Sequence, residues 1–366
     1  MKRIFLLAMV FALAGSAFAF DVKTDAKQEF PTFKVTGWLK VTYADTLYCD
    51  TLVTYPSGFE VKDAAITVSG DAWKDVAYRI CLQSNKATKA GTSTVYAAWL
   101  FDAYVDWKPS KLYSFRVGQY KRPFGYEQLT AATGMEFINA AQITGKFNAS
   151  NRDQGIMAFG AWNDLNYSLS LSNGSSYNIK DSNWTKTVIT RIGYAPLAGM
   201  NVGGSVEYGT QNLVGPSRYN RHAGLDFSWD WNKLLIRSEY MIGLDDKTLA
   251  TDSVMVGATK VKLSGVVDGV LMRGAYLSVG YVPMPRLKVS ARADLYRQTN
   301  AWDLITDGTN AWWDKNESRV MIYDLGADYF LNPNTKVTLN YSIRQEDMAL
   351  RPIKNNVLMA QLQVKF

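Results

Sequence analysis

The chain has 366 residues and a formal net charge of +7, with 13% aromatic residues and a mean hydropathy of −0.15. Its basic residues are scattered singly, which argues against a nucleic-acid partner. A single histidine, with no G-x-S-x-G motif and no Cys/His metal-binding spacing, excludes the common forms of catalysis. We therefore expect neither an enzyme nor a bound cofactor or metal.

The N-terminus has the features of an export signal. Two basic residues precede an apolar run over residues 4–14, and residues 17–19 read Ala-Phe-Ala, which suits a signal peptidase. The apolar run is too short to span a bilayer. We therefore predict a signal peptide at residues 1–19 and one mature domain at residues 20–366.

The two cysteines, Cys49 and Cys81, would follow the same oxidising route of export. Their spacing leaves open whether they form a disulfide or remain as two thiols.

The mature chain alternates apolar and polar residues, which is typical of strands with one apolar face. The alternation is clearest in the strand that begins at Leu287. We expect Leu287, Val289, Ala291 and Ala293 to face outward, and Lys288 and Arg292 to face inward. Seven tight turns rich in Gly, Pro, Asn and Asp are indicated at Asp71–Lys74, Lys108–Lys111, Trp162–Asp164, Ala195–Gly199, Trp231–Lys233, Pro283–Arg286 and Leu331–Asn334. Eight longer connections are centred near residues 51, 89, 135, 180, 215, 257, 307 and 351.

These fifteen connections predict sixteen strands, although residues 254–266 could add a hairpin. An apolar outer face on a closed sheet suits lipid, where every backbone polar group must be paired. The fold class predicted is therefore all-β: a closed antiparallel transmembrane β-barrel of about 16 strands, with both termini at the short-turn rim. The interior of a barrel of about eight strands would be filled by side chains, whereas a barrel of sixteen strands has a water-filled lumen.

The C-terminal segment Val357 to Phe366 alternates strictly and ends on an aromatic residue. It resembles the C-terminal signal of bacterial outer-membrane β-barrels. The resemblance implies localisation in the bacterial outer membrane, contact with its lipid, and recognition by the barrel-assembly machinery through Phe366.

The longest connection, about Gln119 to Arg152, has distinctive ends. The strand before it ends R-V-G-Q at residues 116–119, K-R-P-F-G follows at residues 121–125, and R-D-Q-G-I-M closes it at residues 152–157. With D-A-Y-V-D-W upstream at residues 102–107, this pattern resembles the phosphate-selective porin O and P family.

Members of that family are 16-stranded trimeric barrels whose third loop folds into the lumen. The resemblance implies a homotrimeric porin that lets small hydrophilic solutes diffuse passively, with a preference for anions such as phosphate. It also implies a pore constriction with anion-contacting side chains at Arg116, Lys121, Arg122 and Arg152. Alternatively, Arg122 and Arg152 pair with nearby carboxylates and only fix the loop; the candidates are Glu127, Glu136 and Asp153.

Strand parity predicts a lumen of mixed charge. Besides Arg116, the inward basic residues are Arg79, Arg191, Arg237, Lys288, Arg292 and Arg344. The inward acidic residues are Asp63, Asp102, Asp106, Glu207, Asp226, Glu239, Asp294, Asp324 and Asp328. Because both signs are present, the lumen alone does not predict anion selectivity. The alternative function is a structural or adhesive surface β-barrel that acts through its extracellular loops.

Overall fold

The computed structural model describes most of the chain beyond its first 29 residues. The described residues are 30–47, 57–85, 89–90, 93–94, 97–147, 151–181, 184–210, 219–245, 248–256, 259–267, 270–306, 311–348, 351–353 and 355–366. The signal peptide predicted at residues 1–19 and Cys49 lie outside them. Cys81 is buried and is a free thiol.

Sixteen strands form one antiparallel barrel, as the sequence predicted. They are β1 (Lys34–Thr46), β2 (Gly58–Trp73), β3 (Val76–Asn85), β4 (Ala97–Trp107), β5 (Ser114–Lys121), β6 (Arg152–Trp162), β7 (Leu165–Ser172), β8 (Thr187–Tyr194), β9 (Met200–Thr210), β10 (Tyr219–Trp231), β11 (Leu234–Asp245), β12 (Val270–Met284), β13 (Leu287–Thr306), β14 (Ala311–Asn332), β15 (Thr335–Met348) and β16 (Val357–Lys365).

Each strand pairs with the next, and β16 pairs back with β1 from Trp38↔Lys365 to Thr46↔Val357, which closes the sheet. Closure leaves no unpaired edge, as the hydrocarbon core of a membrane requires. Both chain ends of the barrel lie at the rim that carries the short turns, because Gly37 and Phe366 exchange backbone hydrogen bonds there.

Five further strands occur in the described part of the chain besides these sixteen. Thr248–Val256 and Thr259–Val267 form a separate hairpin, so the extra hairpin considered near residues 254–266 does not raise the barrel's strand number. Lys89–Ala90 pairs with Ser93–Thr94, and Arg351–Ile353 pairs with the end of β15. Among the described residues, no helix has the length and apolar character needed to cross a membrane.

The two faces of the wall reverse the pattern of a water-soluble protein. In β14, Leu325 is 53% exposed on the outer face, whereas Asp324 and Asp328, at inward positions of the same strand, are 4% and 1% exposed. The same alternation in β13 buries Arg292 and exposes Ala291. An apolar exterior and a charged interior fit a barrel surrounded by lipid.

Register shifts interrupt this alternation at several points, and two of them place a side chain that parity does not predict. The register shift between Lys40 and Val41 leaves Lys62 as an extra residue, and its ammonium reaches the side chain of Asn139. The shift opposite Cys81 leaves Phe101 as an extra residue that is buried. A bulge changes the direction of an adjacent side chain, so the alternation of the strand does not predict where Lys62 and Phe101 point.

Candidate pore constriction

The connection between β5 and β6 contains helix α1 (Tyr126–Leu129), a 3₁₀ turn (Ala132–Gly134) and helix α2 (Gln142–Phe147). Three of its apolar side chains are fully buried: Phe124, Ile143 and Phe147. They pack in one cluster with inward residues of the strand wall, namely Ile189, Met241, Met272, Tyr276 and Tyr296. Burial of these side chains holds the segment against β8 and β11–β13.

Inward carboxylates bind the first backbone N–H groups of both helices. The two oxygens of Glu239 accept hydrogen bonds from Tyr126 N at 2.8 Å and Glu127 N at 2.7 Å, and Asp294 accepts from Gln142 N at 2.7 Å. These helix-terminal donors have no partner within their own helix. The carboxylates therefore serve as caps supplied from the opposite wall.

Gly125 allows this close approach at the start of α1. Its φ is 80°, a left-handed conformation that favours glycine. A Cβ at this position would lie 2.5 Å from Met241 Cε and 2.7 Å from Glu239 Oε2. A larger residue would push the helix away from its cap.

Inward cations bind the carbonyl groups of the same segment. Lys40 donates to Ala132 O at 2.9 Å, and Lys336 donates to Met135 O at 3.1 Å. Arg292 Nη2 donates to the carbonyl oxygen of Asn139 at 3.1 Å. Together with the carboxylates, these contacts join the segment to β1, β11, β13 and β15. Many inward charges thus hold the polypeptide in place and are not free in the lumen.

Three of the four residues predicted at the constriction lie together at the base of the loop, where Lys121 is the register partner of Arg152 and Arg122 N donates to Asn151 O at 3.4 Å, whereas Arg116 is separate from them. Arg116 lies toward the short-turn rim, where it pairs with Asp106 at 2.7 Å. The Lys121 ammonium donates to two carbonyls of the segment itself, those of Gln128 at 3.0 Å and Thr130 at 2.7 Å.

Arg122 and Arg152 are 2% and 8% exposed. Arg122 pairs with Glu207, and Arg152 Nε lies 3.0 Å from a carboxylate oxygen of Asp102 with its guanidinium 3.9 Å above the Phe101 ring. Their partners are therefore strand residues and not Glu127, Glu136 or Asp153, which the alternative interpretation proposed.

Five of the six predicted basic lining residues form ion pairs. The pairs are Arg79–Asp102, Arg191–Asp226, Arg237–Asp230, Lys288–Asp328 and Arg292 with both Asp324 and Glu127. Arg344 differs, because its side chain makes no ion pair with any carboxylate in the described ranges.

Glu127 is a largely buried acid within the loop. Its carboxylate accepts hydrogen bonds from Ala141 N at 2.8 Å and Thr144 Oγ at 2.6 Å, and it lies 3.3 Å from Arg292. Burial nevertheless raises the pKa of Glu127, because desolvation outweighs the attraction of the guanidinium.

Two cavities lie between the loop and the strand wall. A cavity of about 410 Å³ has three basic side chains in its lining, Lys146, Arg292 and Arg344, beside the acid Asp324. Lys146 is exposed, with its ammonium 5.3 Å from the centre of the Tyr296 ring. Sequence reasoning missed Lys146 because it lies in a helix, outside the strand pattern.

A second cavity, of about 220 Å³, lies toward the short-turn side of the loop. Its charged lining residues are Glu127, Glu136, Arg237, Lys288 and Arg292. Arg292 therefore borders both cavities. Within the described residues, no group of three or more His, Cys, Asp or Glu side chains could hold a metal ion.

A closed sixteen-stranded wall, a lipid-compatible exterior and a charged interior define an outer-membrane β-barrel of the porin class. The family model described as phosphate-selective porin O and P matches residues 33–237. The chain belongs to this family, whose members are channels and not enzymes.

Solved porin structures share the fold at low sequence identity. The outer-membrane channel DcaP of Acinetobacter baumannii superposes with a TM-score of 0.63 at 9% identity, covering 91% of this chain and 97% of that one. The anion-selective porin from Comamonas acidovorans gives 0.61 at 10% identity, with coverages of 92% and 99%. The trimer form of OmpT from Vibrio cholerae gives 0.60 at 10% identity, with coverages of 92% and 99%. No curated protein matches the sequence.

Proposed function

We propose that the protein is a pore for passive diffusion of small hydrophilic solutes, with a preference for anions such as phosphate. The observation that carries this proposal is the pair of basic side chains, Lys146 and Arg344, that line a cavity without an ion-pair partner in the described ranges. Ammonium and guanidinium groups can replace part of the water around a passing anion.

The charge of the two cavities supports a modest preference. The larger cavity has three basic residues and one acidic residue in its lining, and the smaller has three basic and two acidic residues. Both linings therefore carry a formal excess of one or two positive charges, but the three cations of the smaller cavity are ion-paired, so the preference rests on the larger cavity. The family description and the anion-selective relative from Comamonas acidovorans agree with this direction.

We infer that the loop between β5 and β6 narrows the lumen. Its backbone contacts reach inward side chains of β1, β11, β13 and β15, so it extends far from the strands that carry it. In this proposal Lys121, Arg122 and Arg152 influence permeation by fixing the loop. Arg116, which is paired with Asp106, contributes to the field nearer the short-turn rim.

We further propose that the mature chain follows a signal peptide of residues 1–19 and assembles as a homotrimer. The OmpT relative is described in a trimer form, which motivates the expected assembly. The Phe366 side chain is 62% exposed at the short-turn rim, where the barrel-assembly machinery could bind it. Native mass spectrometry of the mildly solubilised protein tests the assembly, and a monomer at every concentration would contradict it.

Planar-bilayer recording tests the pore function. In a gradient of potassium chloride, we expect discrete conductance steps and a reversal potential displaced toward that of chloride. A protein that inserts without conductance would contradict the pore, and a displacement toward potassium would contradict the anion preference.

A further inference from the structure

The only histidine of the chain, His222, lies beneath the loop between β5 and β6. It occupies an inward position of β10 and is 3% exposed. Its Nε2 atom lies 2.9 Å from a carboxylate oxygen of Asp245 on β11. Its Nδ1 atom lies 3.4 Å from a carboxylate oxygen of Glu207 on β9. Both ring nitrogens therefore face a carboxylate.

This arrangement fits the imidazolium form of His222. A neutral imidazole has one N–H and one lone pair, so it can donate to only one of the two carboxylates, and its lone pair then faces the other. Glu207 also pairs with Arg122 at the base of the loop, which favours its ionised form. Among the described residues, the charged groups facing the ring are thus Glu207 on β9 and Asp245 on β11, with Arg122 one contact further.

Two phenylalanines of the loop pack on the ring of His222. The ring of Phe124, which precedes α1, has its centre 6.2 Å from that of His222 at an interplanar angle of 63°. The ring of Phe147, the last residue of α2, has its centre 5.1 Å away at 79°. Edge-to-face contacts of this kind are favourable between aromatic rings. His222 therefore contacts both ends of the segment that contains α1 and α2.

The space around this contact is filled. Gly243 of β11 lies directly opposite His222 in the sheet. A Cβ at Gly243 would lie 2.3 Å from His222 Cδ2 and 2.7 Å from Phe147 Cε1. The imidazole and the phenyl ring therefore occupy the room that this glycine leaves free. Because packed side chains transmit displacement, a turn of the His222 ring would move Phe147.

We propose that His222, in its protonated form, is a positioning residue of the pore that holds Phe147 and, with it, the end of α2. Lys146 precedes Phe147 and lines the larger cavity, and it is one of the two cations that carry the anion preference. The inference therefore rests on the proposed function. When His222 gives its proton to water, a lone pair faces a carboxylate, the ring turns and the end of α2 loosens. Lys146 then lies further, on average, from a passing anion.

Two pH titrations of the folded protein test the proposal, over a range from about pH 5 to pH 10 that includes the ordinary histidine pKa of about 6.5. Because the chain has one histidine, NMR of histidine-labelled protein reports the titration of His222 directly. Reversal potentials in a potassium chloride gradient report the anion preference. As pH rises through the His222 midpoint, the ratio of chloride to potassium permeability should fall about twofold, the effect of one unit charge about 8 Å from the ion.

Three variants separate the role of His222 from other titrations. H222Q should have the lower permeability ratio at every pH, without the step. H222K keeps a cation, because the ordinary lysine pKa is about 10.4, and should keep the higher ratio through the midpoint. In a K146Q background, H222Q should shift the ratio no further, since His222 acts through Lys146. Amide hydrogen exchange in α2 should be faster in H222Q than in the wild type.

A step of the same size in H222Q and the wild type would overturn the proposal. An equal shift from H222Q with and without Lys146 would also overturn it, because the charge would then act on the ions directly. If H222Q does not fold, the wild type decides: coincident midpoints of the two titrations support the proposal, and different midpoints overturn it. The proposed function fails separately, if the wild type does not conduct or prefers potassium at every pH. Hydrogen exchange then decides, since equal exchange of α2 in H222Q and the wild type would overturn the positioning role.

Discussion

The base of the loop between β5 and β6 and the wall facing helix α2 use basic side chains in opposite ways. At the base, Arg122 is 2% exposed and paired with Glu207, and Arg152 is paired with Asp102. Facing α2, Arg344 borders a cavity without a carboxylate partner in the described ranges, and Lys146 is exposed. Pairing, more than residue type, therefore decides whether a cation positions the chain or can meet a solute.

The largest effect should follow from breaking a pair at the base. Replacing Arg122 with Gln removes the guanidinium beside Glu207 and leaves a buried carboxylate undercompensated. We expect the free energy of unfolding to fall by about 3 kcal/mol, the lower end of the range for a broken buried ion pair. Urea unfolding of the protein in lipid vesicles measures this loss.

The matched controls separate pairing from charge. R344Q should change the free energy of unfolding by no more than about 0.5 kcal/mol, as for a residue without a buried partner. R122Q/E207Q should recover part of the loss, because neither partner is then left as a buried charge. Equal stability of R122Q and R344Q would mean that the ion pair between Arg122 and Glu207 does not fix the loop.

A third environment, the lipid side, extends the comparison. Ala291 is exposed on the outer face beside the inward Arg292, so Ala291→Arg puts a guanidinium into hydrocarbon without a partner. We expect a loss of about 2–4 kcal/mol if this depth is near the midplane. Ala291→Leu is the control and should be nearly neutral. An arginine variant as stable as the wild type in vesicles would contradict the outward assignment.

A smaller effect should come from Glu127, whose burial raises its pKa. An acid with a raised folded-state pKa contributes stability below its unfolded pKa of about 4.3, and this contribution is lost as pH rises through the folded-state pKa. Glu127→Gln should therefore reduce the fall in unfolding free energy between about pH 4 and neutrality. Identical pH profiles for the variant and the wild type would exclude this role.

Alternation along the chain predicted the closed barrel, its short turns and its sixteen strands, because parity and turn residues are local signals. It did not predict that β13 reaches Thr306 and β14 begins at Ala311, which shortens the connection expected near residue 307. Charged residues extend these strands beyond the apolar band, where the pattern of alternation weakens.

The candidate site depends on contacts that sequence order does not reveal. Arg122 meets Glu207 across 85 positions, and Arg292 meets Glu127 across 165. Parity predicted that Arg292 and Glu207 face inward, but it could not predict which inward side chains the loop would contact. The bulge that turns Lys62 toward Asn139 also has no simple sequence signal.

In the proposed pore, cations without an ion-pair partner set the selectivity, and reversal potentials test this directly. A unit charge about 8 Å from a permeating ion contributes about 0.5 kcal/mol in water and about half of that after screening by 0.1 M salt; because the sign is opposite for an anion and a cation, this is about a twofold change in their permeability ratio. K146Q/R344Q should therefore lower the anion preference by about fourfold. The control R191Q/D226N removes a paired cation with its partner and should leave the reversal potential unchanged. An unchanged reversal potential in K146Q/R344Q, together with a shift in R191Q/D226N, would contradict the account.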